Sequence, residues 1–377
     1  MTQKVVAPSK DRFVFLDYLR IIATFGVVWD HVVALWPEGY GFHLKIVSVS
    51  RTYIAEPFGI IQDFGWLSVS LFFLVSGFII THVATRESTA EFLVKRFFRI
   101  FPLLAVFVVL ATVLNPDVRA QIGIADLLRN MTLLNYMRTP QVVTVGVAWT
   151  LVIEIQFYLL TALTMWTRRH DVPLAINLLV PLVVIAVSRK FGADFFLFAG
   201  SMAYVPYLVV GQIFYLGLYR KVISLPMMMV SLLVCFAVII YGLESIHTDF
   251  LPVTQSYLIN FVYACCIFYV FFRLNRGLKS GLVVRFLAAT SFAVYLVHGV
   301  IGRVVFDPVA VNWGMRSAVM AALGVTAVCA VVVHFTLEKR FLAAGHRLAR
   351  RFALHSSLRL TDQQISETRT LVIANSD

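Results

Sequence analysis

This chain is short of charge and makes no structural use of cysteine. Asp, Glu, Lys and Arg together make up 14% of its 377 residues, against about 25% in an average soluble domain. That shortage excludes an ordinary water-soluble globule. The four cysteines, Cys235, Cys265, Cys266 and Cys329, all sit in apolar runs. This argues against a disulfide framework, and no Cys/His spacing suits zinc. The first apolar stretch is interrupted by Asp17 and Arg20 and is followed by no small-residue cleavage site, so it is not read as a removable signal. There is no internal repeat, no low-complexity stretch and no sign of a second folded domain.

What is present is apolar: 60% of the residues are hydrophobic, in runs near twenty that do not alternate. Such runs predict helices that cross a bilayer, not a barrel. The expected fold is an all-α, polytopic membrane bundle of about ten transmembrane helices. The spans fall near 13–35, 66–84, 98–114, 147–166, 172–188, 195–219, 222–243, 255–272, 283–302 and 317–337. With both termini placed in the cytoplasm, 22 Lys and Arg fall on the inner side and 9 on the outer. This bias supports an even number of crossings. It also accounts for the net charge of +12 without nucleic acid as a partner. Residues 1–342 form the transmembrane domain, and 343–377 form a basic cytoplasmic tail, read as a surface helix followed by disorder. The outer loops 36–65 and 115–146 are expected to fold back as lids, with an amphipathic surface helix over 124–136.

Ionisable groups inside spans cost several kcal/mol, so they usually face a cavity and act there. The first span holds four. Arg20 and His31 are eleven residues apart, about three turns plus 20°, and lie on one face about 16 Å apart along an ideal helix. Asp17 and Thr24 share that face, and Asp30 points roughly a quarter-turn away. Asp17 and Arg20 could simply neutralise each other. His31 suits a general base near neutral pH. Arg96 and Arg99, at i,i+3 and the inner mouth of the third span, fit a phosphate clamp as well as ordinary topological anchoring. Glu154 shares a face with Thr150 and Tyr158 in the segment that opens at Trp149, and a carboxylate at that depth needs a partner. His31, placed at similar depth, is the expected one. Ser291, Tyr295 and His298 line one face of the ninth span, where the histidine either serves the site or bridges helices. Ser76-Gly77 reads as a small-residue packing patch.

In this order the motifs resemble the acyltransferase 3 family of membrane O-acyltransferases. They are Asp17-x-x-Arg20 with His31, Phe72-Phe73-x-x-Ser76-Gly77-Phe78, Arg96-x-x-Arg99-Ile100-Phe101-Pro102, Trp149-Thr150-Leu151-x-x-Glu154-x-x-Phe157-Tyr158 and Ser291-x-x-x-Tyr295-Leu296-x-His298. Thr150 replaces the family's usual Ser. Glu338 stands where the family commonly has a Glu, without the usual following Pro. The resemblance covers about residues 11–341 and suggests the stand-alone form, without a C-terminal hydrolase-like domain.

The resemblance implies transfer of an acyl group, often acetyl, from acyl-CoA to a hydroxyl of a carbohydrate or glycolipid, such as an exopolysaccharide or lipopolysaccharide unit. It places the protein in the bacterial inner membrane. His31, Glu154, Arg20 and Asp17 would be catalytic, Arg96 and Arg99 would hold the coenzyme A phosphates, and Ser291, Tyr295, His298 and Trp149 would contact substrate. Acyl-CoA enters as donor substrate; no metal or bound cofactor is implied. The alternative is a non-enzymatic transporter or flippase of a polar or anionic solute.

Overall fold

The computed structural model describes residues 13–167, 171–246 and 254–352. Among these there is no strand, and ten helices are long and apolar enough to cross a membrane. They are α1 (Val14–Glu38), α2 (Gln62–Ala84), α3 (Thr89–Leu114), α4 (Gly146–Thr164), α5 (Asp171–Lys190), α6 (Ala193–Tyr219), α7 (Leu225–Ile246), α8 (Thr254–Leu274), α9 (Leu282–Trp313) and α10 (Met315–Phe352).

Each expected span matches one of these helices, and the differences lie at the ends. Helix α3 starts nine residues before the expected 98, because Ser88 caps it by accepting the Glu91 N–H. The Arg96–Arg99 pair therefore lies inside the helix. Helix α9 does not stop at 302. It continues through a π-helical turn over His298–Gly302 and ends only at Gly314, which takes a positive φ of 83°. Helix α10 runs past 343 to Phe352, so the tail begins as a continuation of the last span. The remainder of the tail, 353–377, lies outside the described residues, as do the basic segments 1–12 and 168–170.

Helix α2 is the centre of the bundle: 67% of its apolar window is buried, against 22% for the peripheral α7. Phe78 of α2 is fully buried and makes edge contacts with Phe13, Phe15 and Tyr215. The approach of α6 to α2 requires glycine on both sides. A Cβ on Gly77 would fall 1.8 Å from the Leu208 carbonyl oxygen, and one on Gly211 would fall 2.3 Å from that of Leu74. Close backbone contact of this kind is how membrane helices gain van der Waals energy where no hydrophobic effect drives them together.

The 36–65 segment folds over one end of the bundle. It carries a short helix, Lys45–Ser50. Arg51 ties it down by hydrogen-bonded ion pairs with Glu38, at the end of α1, and with Asp63, at the start of α2. These two carboxylates, Asp63 first, hold the guanidinium well above its ordinary range. The chain then enters α2 through Gln62, Asp63 and Phe64, three non-glycine residues at φ of 52°, 44° and 77°. Left-handed conformations cost energy for such residues and persist only where the surroundings enforce them. The surface helix expected over 124–136, within the second outer loop, appears as a helix over Ile124–Met131 followed by a tight turn over Leu134–Met137.

The glycine contact predicts the effect of one methyl group. Gly77→Ala should lower the thermal midpoint in detergent by an amount equivalent to about 1–3 kcal/mol, whereas Ala at Gly146, with open space around it, should not. Equal midpoints for the two variants would contradict the close α2–α6 crossing.

Candidate functional site

Two cavities lie one behind the other along the bundle. The first, about 400 Å³, is lined by Asp17 and Arg20 of α1, Ser76 of α2, Arg96 and Arg99 of α3, Glu154 and Tyr158 of α4, and Ser291 of α9. The second, about 690 Å³, sits under the 36–65 segment and is lined by Asp30, His31, Arg51, Asp63, Trp66, Trp149, Tyr204 and Tyr257. We refer to them as the arginine chamber and the loop chamber. Val69 and Tyr295 line both.

Tyr295 belongs to the wall between them. Its hydroxyl donates to the Val147 carbonyl, so the Thr150 hydroxyl, 2.7 Å away, donates to the phenol oxygen. Both capacities of the group are thereby used by the protein itself.

In the arginine chamber, Glu154 accepts hydrogen bonds from Ser76, at 3.3 Å, and from Tyr158. Arg20 lies within electrostatic reach of Asp17, Glu154 and Glu338, and also of Arg99. The charges thus answer one another across four helices. Arg96 faces the rings of Phe92 and Tyr158 at 5.6 and 6.0 Å, and its buried Nε has no hydrogen-bond partner among the described residues. Arg99 lies over Phe292 at 5.6 Å. Their neighbour Lys95 is committed elsewhere, to Glu87 and Glu91 at 2.7 and 2.6 Å. The chamber is suited to a ligand with an anionic head and an apolar arm.

In the loop chamber, His31 Nδ1 and His298 Nε2 are 2.9 Å apart, edge to edge, with the ring planes inclined by 18°. The tautomers follow from the next bond. His298 Nδ1 lies 3.1 Å from the Val294 carbonyl oxygen, which can only accept. His298 therefore carries its proton on Nδ1, and its Nε2 accepts from His31 Nδ1–H. This leaves the lone pair of His31 on Nε2. His298 is fully buried and holds the His31 ring from behind. Asp30 Oδ2 lies 3.7 Å from His31 Nε2, beside the first α-helical residue of α2, where a Cβ on Gly65 would meet Asp30 Oδ2 at 2.2 Å. A helix N-terminus favours a carboxylate at that point.

Two sequence expectations need correction. Glu154 does not face His31. It sits in the arginine chamber, five residues and about 7.5 Å along α4 from Trp149, and only Trp149 reaches the loop chamber. The carboxylate beside His31 is Asp30, which the ideal helix pointed a quarter-turn away. The two are consecutive residues, and although a quarter-turn separates them their side chains bend far enough to come within 3.7 Å. Arg20 and His31 share a polar stripe as expected, but the stripe serves one residue to each chamber.

Sequence reasoning also missed Ser76, read as packing alone, and Arg51 and Trp66. Ser76 was inside a quoted motif. Arg51 and Trp66 carried no local signal. Among the described residues no group of three or more His, Cys, Asp or Glu is placed to hold a metal ion.

The correction has a measurable consequence. Glu154→Gln keeps the shape of the site while removing a charge near Arg20, so the variant should lose thermal stability, as unpaired buried charges are costly. The pH midpoint of activity should stay where it is in the unmutated protein, because the carboxylate is not the neighbour of His31. A displaced midpoint in rates taken from about pH 5 to 9 would reinstate a Glu154–His31 pair.

Comparison with curated proteins and with solved structures gave no match. A family model described as an acyltransferase domain matches residues 13–335, an interval that contains every residue of both chambers. On that match, this chain is an acyltransferase and belongs to the acyltransferase 3 family.

Proposed function

We propose that this membrane acyltransferase moves an acyl group, acetyl in the simplest case, from acyl-CoA to a hydroxyl of a carbohydrate or glycolipid. The observation that carries the reading is the His31–His298 pair, which leaves a basic nitrogen in one chamber while two arginines stand in the chamber behind it. Acyl-CoA is a polyanion with a long, uncharged arm that ends in the thioester. Arg96 and Arg99 suit its phosphates, and the arm can then extend past Arg20 toward Tyr295. The acceptor enters the loop chamber, where Trp66 and Trp149 lie parallel at 6.3 Å and 8°. Aromatic faces of this kind suit the apolar face of a sugar ring.

The step balances without a further reactant. His31 Nε2 takes the proton of the acceptor hydroxyl as its oxygen attacks the thioester carbonyl. The tetrahedral intermediate collapses with cleavage of the C–S bond, and the departing thiolate recovers the proton from His31. An ester and free coenzyme A result. Asp30 balances the transient imidazolium, and His298 holds the ring and its tautomer. In the covalent variant, the same lone pair attacks the thioester first.

Because Lys and Arg gather on the side of the arginine chamber, that end is assigned to the cytoplasm, where coenzyme A is found; the family resemblance is the ground for assigning the membrane to the inner membrane of a bacterium.

His31→Ala should reduce release of coenzyme A thiol by about 10²–10⁴-fold at matched membrane level, with insertion unchanged. His298→Gln should cost less, about 10–100-fold, because the base survives but loses its orienting partner. Retention of more than roughly a tenth of the rate by His31→Ala would remove His31 from the chemistry.

Arg96→Ala and Arg99→Ala should each raise the donor KM ten- to a hundredfold, since a charge-assisted bond to phosphate contributes about 1.5–3 kcal/mol, and should leave the acceptor KM nearly constant. Titration with acetyl-CoA decides the matter; unchanged donor dependence in both variants would leave the pair as topological anchors.

A further inference from the structure

The arginine chamber is too small for the donor proposed above. Its volume of about 400 Å³ is at the low end for pockets that take drug-sized ligands, roughly 300–1,000 Å³. Coenzyme A exceeds such a ligand, since it joins a pantetheine arm to a pyrophosphate, a 3′-phosphate and an adenosine. The chamber can take the arm and thioester, but the nucleotide has to lie at its mouth.

The far end of α10 is at that mouth. The helix has 38 residues, about 57 Å, against about 30 Å of hydrocarbon, so its last turns stand clear of the bilayer. Gly345 and Ala349, one turn apart, are buried. A Cβ on Gly345 would fall 2.6 Å from the Cβ of Phe98, which presses this stretch against α3 between Arg96 and Arg99. On the exposed side stand His346, Arg347, Arg350 and Arg351. His346 is within electrostatic reach of Lys95, Glu87, Arg96 and Arg350. From 339 to 352 there is no acidic residue, and among the described residues none of the three arginines has a carboxylate partner. Lys95 already serves two glutamates, whereas these arginines of α10 are uncommitted.

We propose that Arg347, Arg350 and Arg351, with His346, form a phosphate-binding rim for the 3′-phosphate and adenosine of acyl-CoA, while Arg96 and Arg99 hold the pyrophosphate and the chamber takes the acyl arm. The inference rests on acyl-CoA being the donor. It assigns a role in donor selection to a stretch that sequence reading left as a surface tail.

The test uses the full-length protein with Arg347, Arg350 and Arg351 all changed to Ala, and two donors, acetyl-CoA and S-acetylpantetheine. The second has the arm and thioester but lacks the nucleotide. The KM for acetyl-CoA should rise about tenfold and equilibrium binding of coenzyme A should weaken in parallel, while use of S-acetylpantetheine should not change. Equal effects on both donors, or on neither, would overturn the rim. Anionic lipid headgroups share the phosphate chemistry, so the assays are repeated in phosphatidylcholine vesicles with and without phosphatidylglycerol. A loss that is confined to anionic vesicles and is the same for both donors would assign the face to lipid and overturn the proposal. Arginine-dependent binding of coenzyme A by a protein that transfers nothing would leave the rim standing and sink the acyl-transfer reading.

Discussion

A charge held inside a bilayer has to be answered by opposite charge nearby, and the rest of this structure follows from that constraint. Arg20, alone in a span, would cost several kcal/mol. Here the carboxylates within its electrostatic reach are Asp17 one turn earlier, Glu154 from α4 and Glu338 from α10. Those carboxylates in turn require donors: Ser76 and Tyr158 serve Glu154, and His334 stands 2.7 Å from Glu338. Each answer draws in another helix. The polar network thereby fixes how α1, α2, α4 and α10 stand around one cavity, a specification that apolar packing between membrane helices does not provide.

The histidine pair shows the same economy at smaller scale. A lone imidazole could rotate and exchange tautomers. Hydrogen-bonded edge to edge with His298, whose own proton is fixed by a main-chain carbonyl, it has one tautomer and one available nitrogen. Both histidines belong to π-helical turns, Trp29–Leu35 and His298–Gly302. Such turns are rare and concentrate at functional positions, where a change of helical phase brings side chains together that a regular helix would hold apart.

The spans were legible in the sequence because hydrocarbon imposes length and apolarity, and both are one-dimensional properties. The family was legible because its motifs are short and local, and the family match replaces the transporter alternative with an enzyme. Pairings across the bundle were not legible. His31 and His298 are 267 positions apart, and nothing in either neighbourhood names the other. Depth along a span was used to match Glu154 with His31, but depth without rotation does not identify a partner. Asp30 was set aside by its helical angle, although neighbouring side chains a quarter-turn apart can still meet. Gly302 looked like the end of α9, yet the helix passes through it to Gly314.

A protein hollowed from two sides risks becoming a proton leak. The two chambers meet at Tyr295, and that residue could be an effective relay, since a phenol can accept a proton on one side and release one on the other. Its hydroxyl is instead bound to the Val147 carbonyl and to Thr150. A group already bonded in both roles cannot reorient to pass protons without breaking both contacts. Tyr295 is therefore no relay while both bonds hold, and the thioester can reach His31 only when this part of the wall gives way.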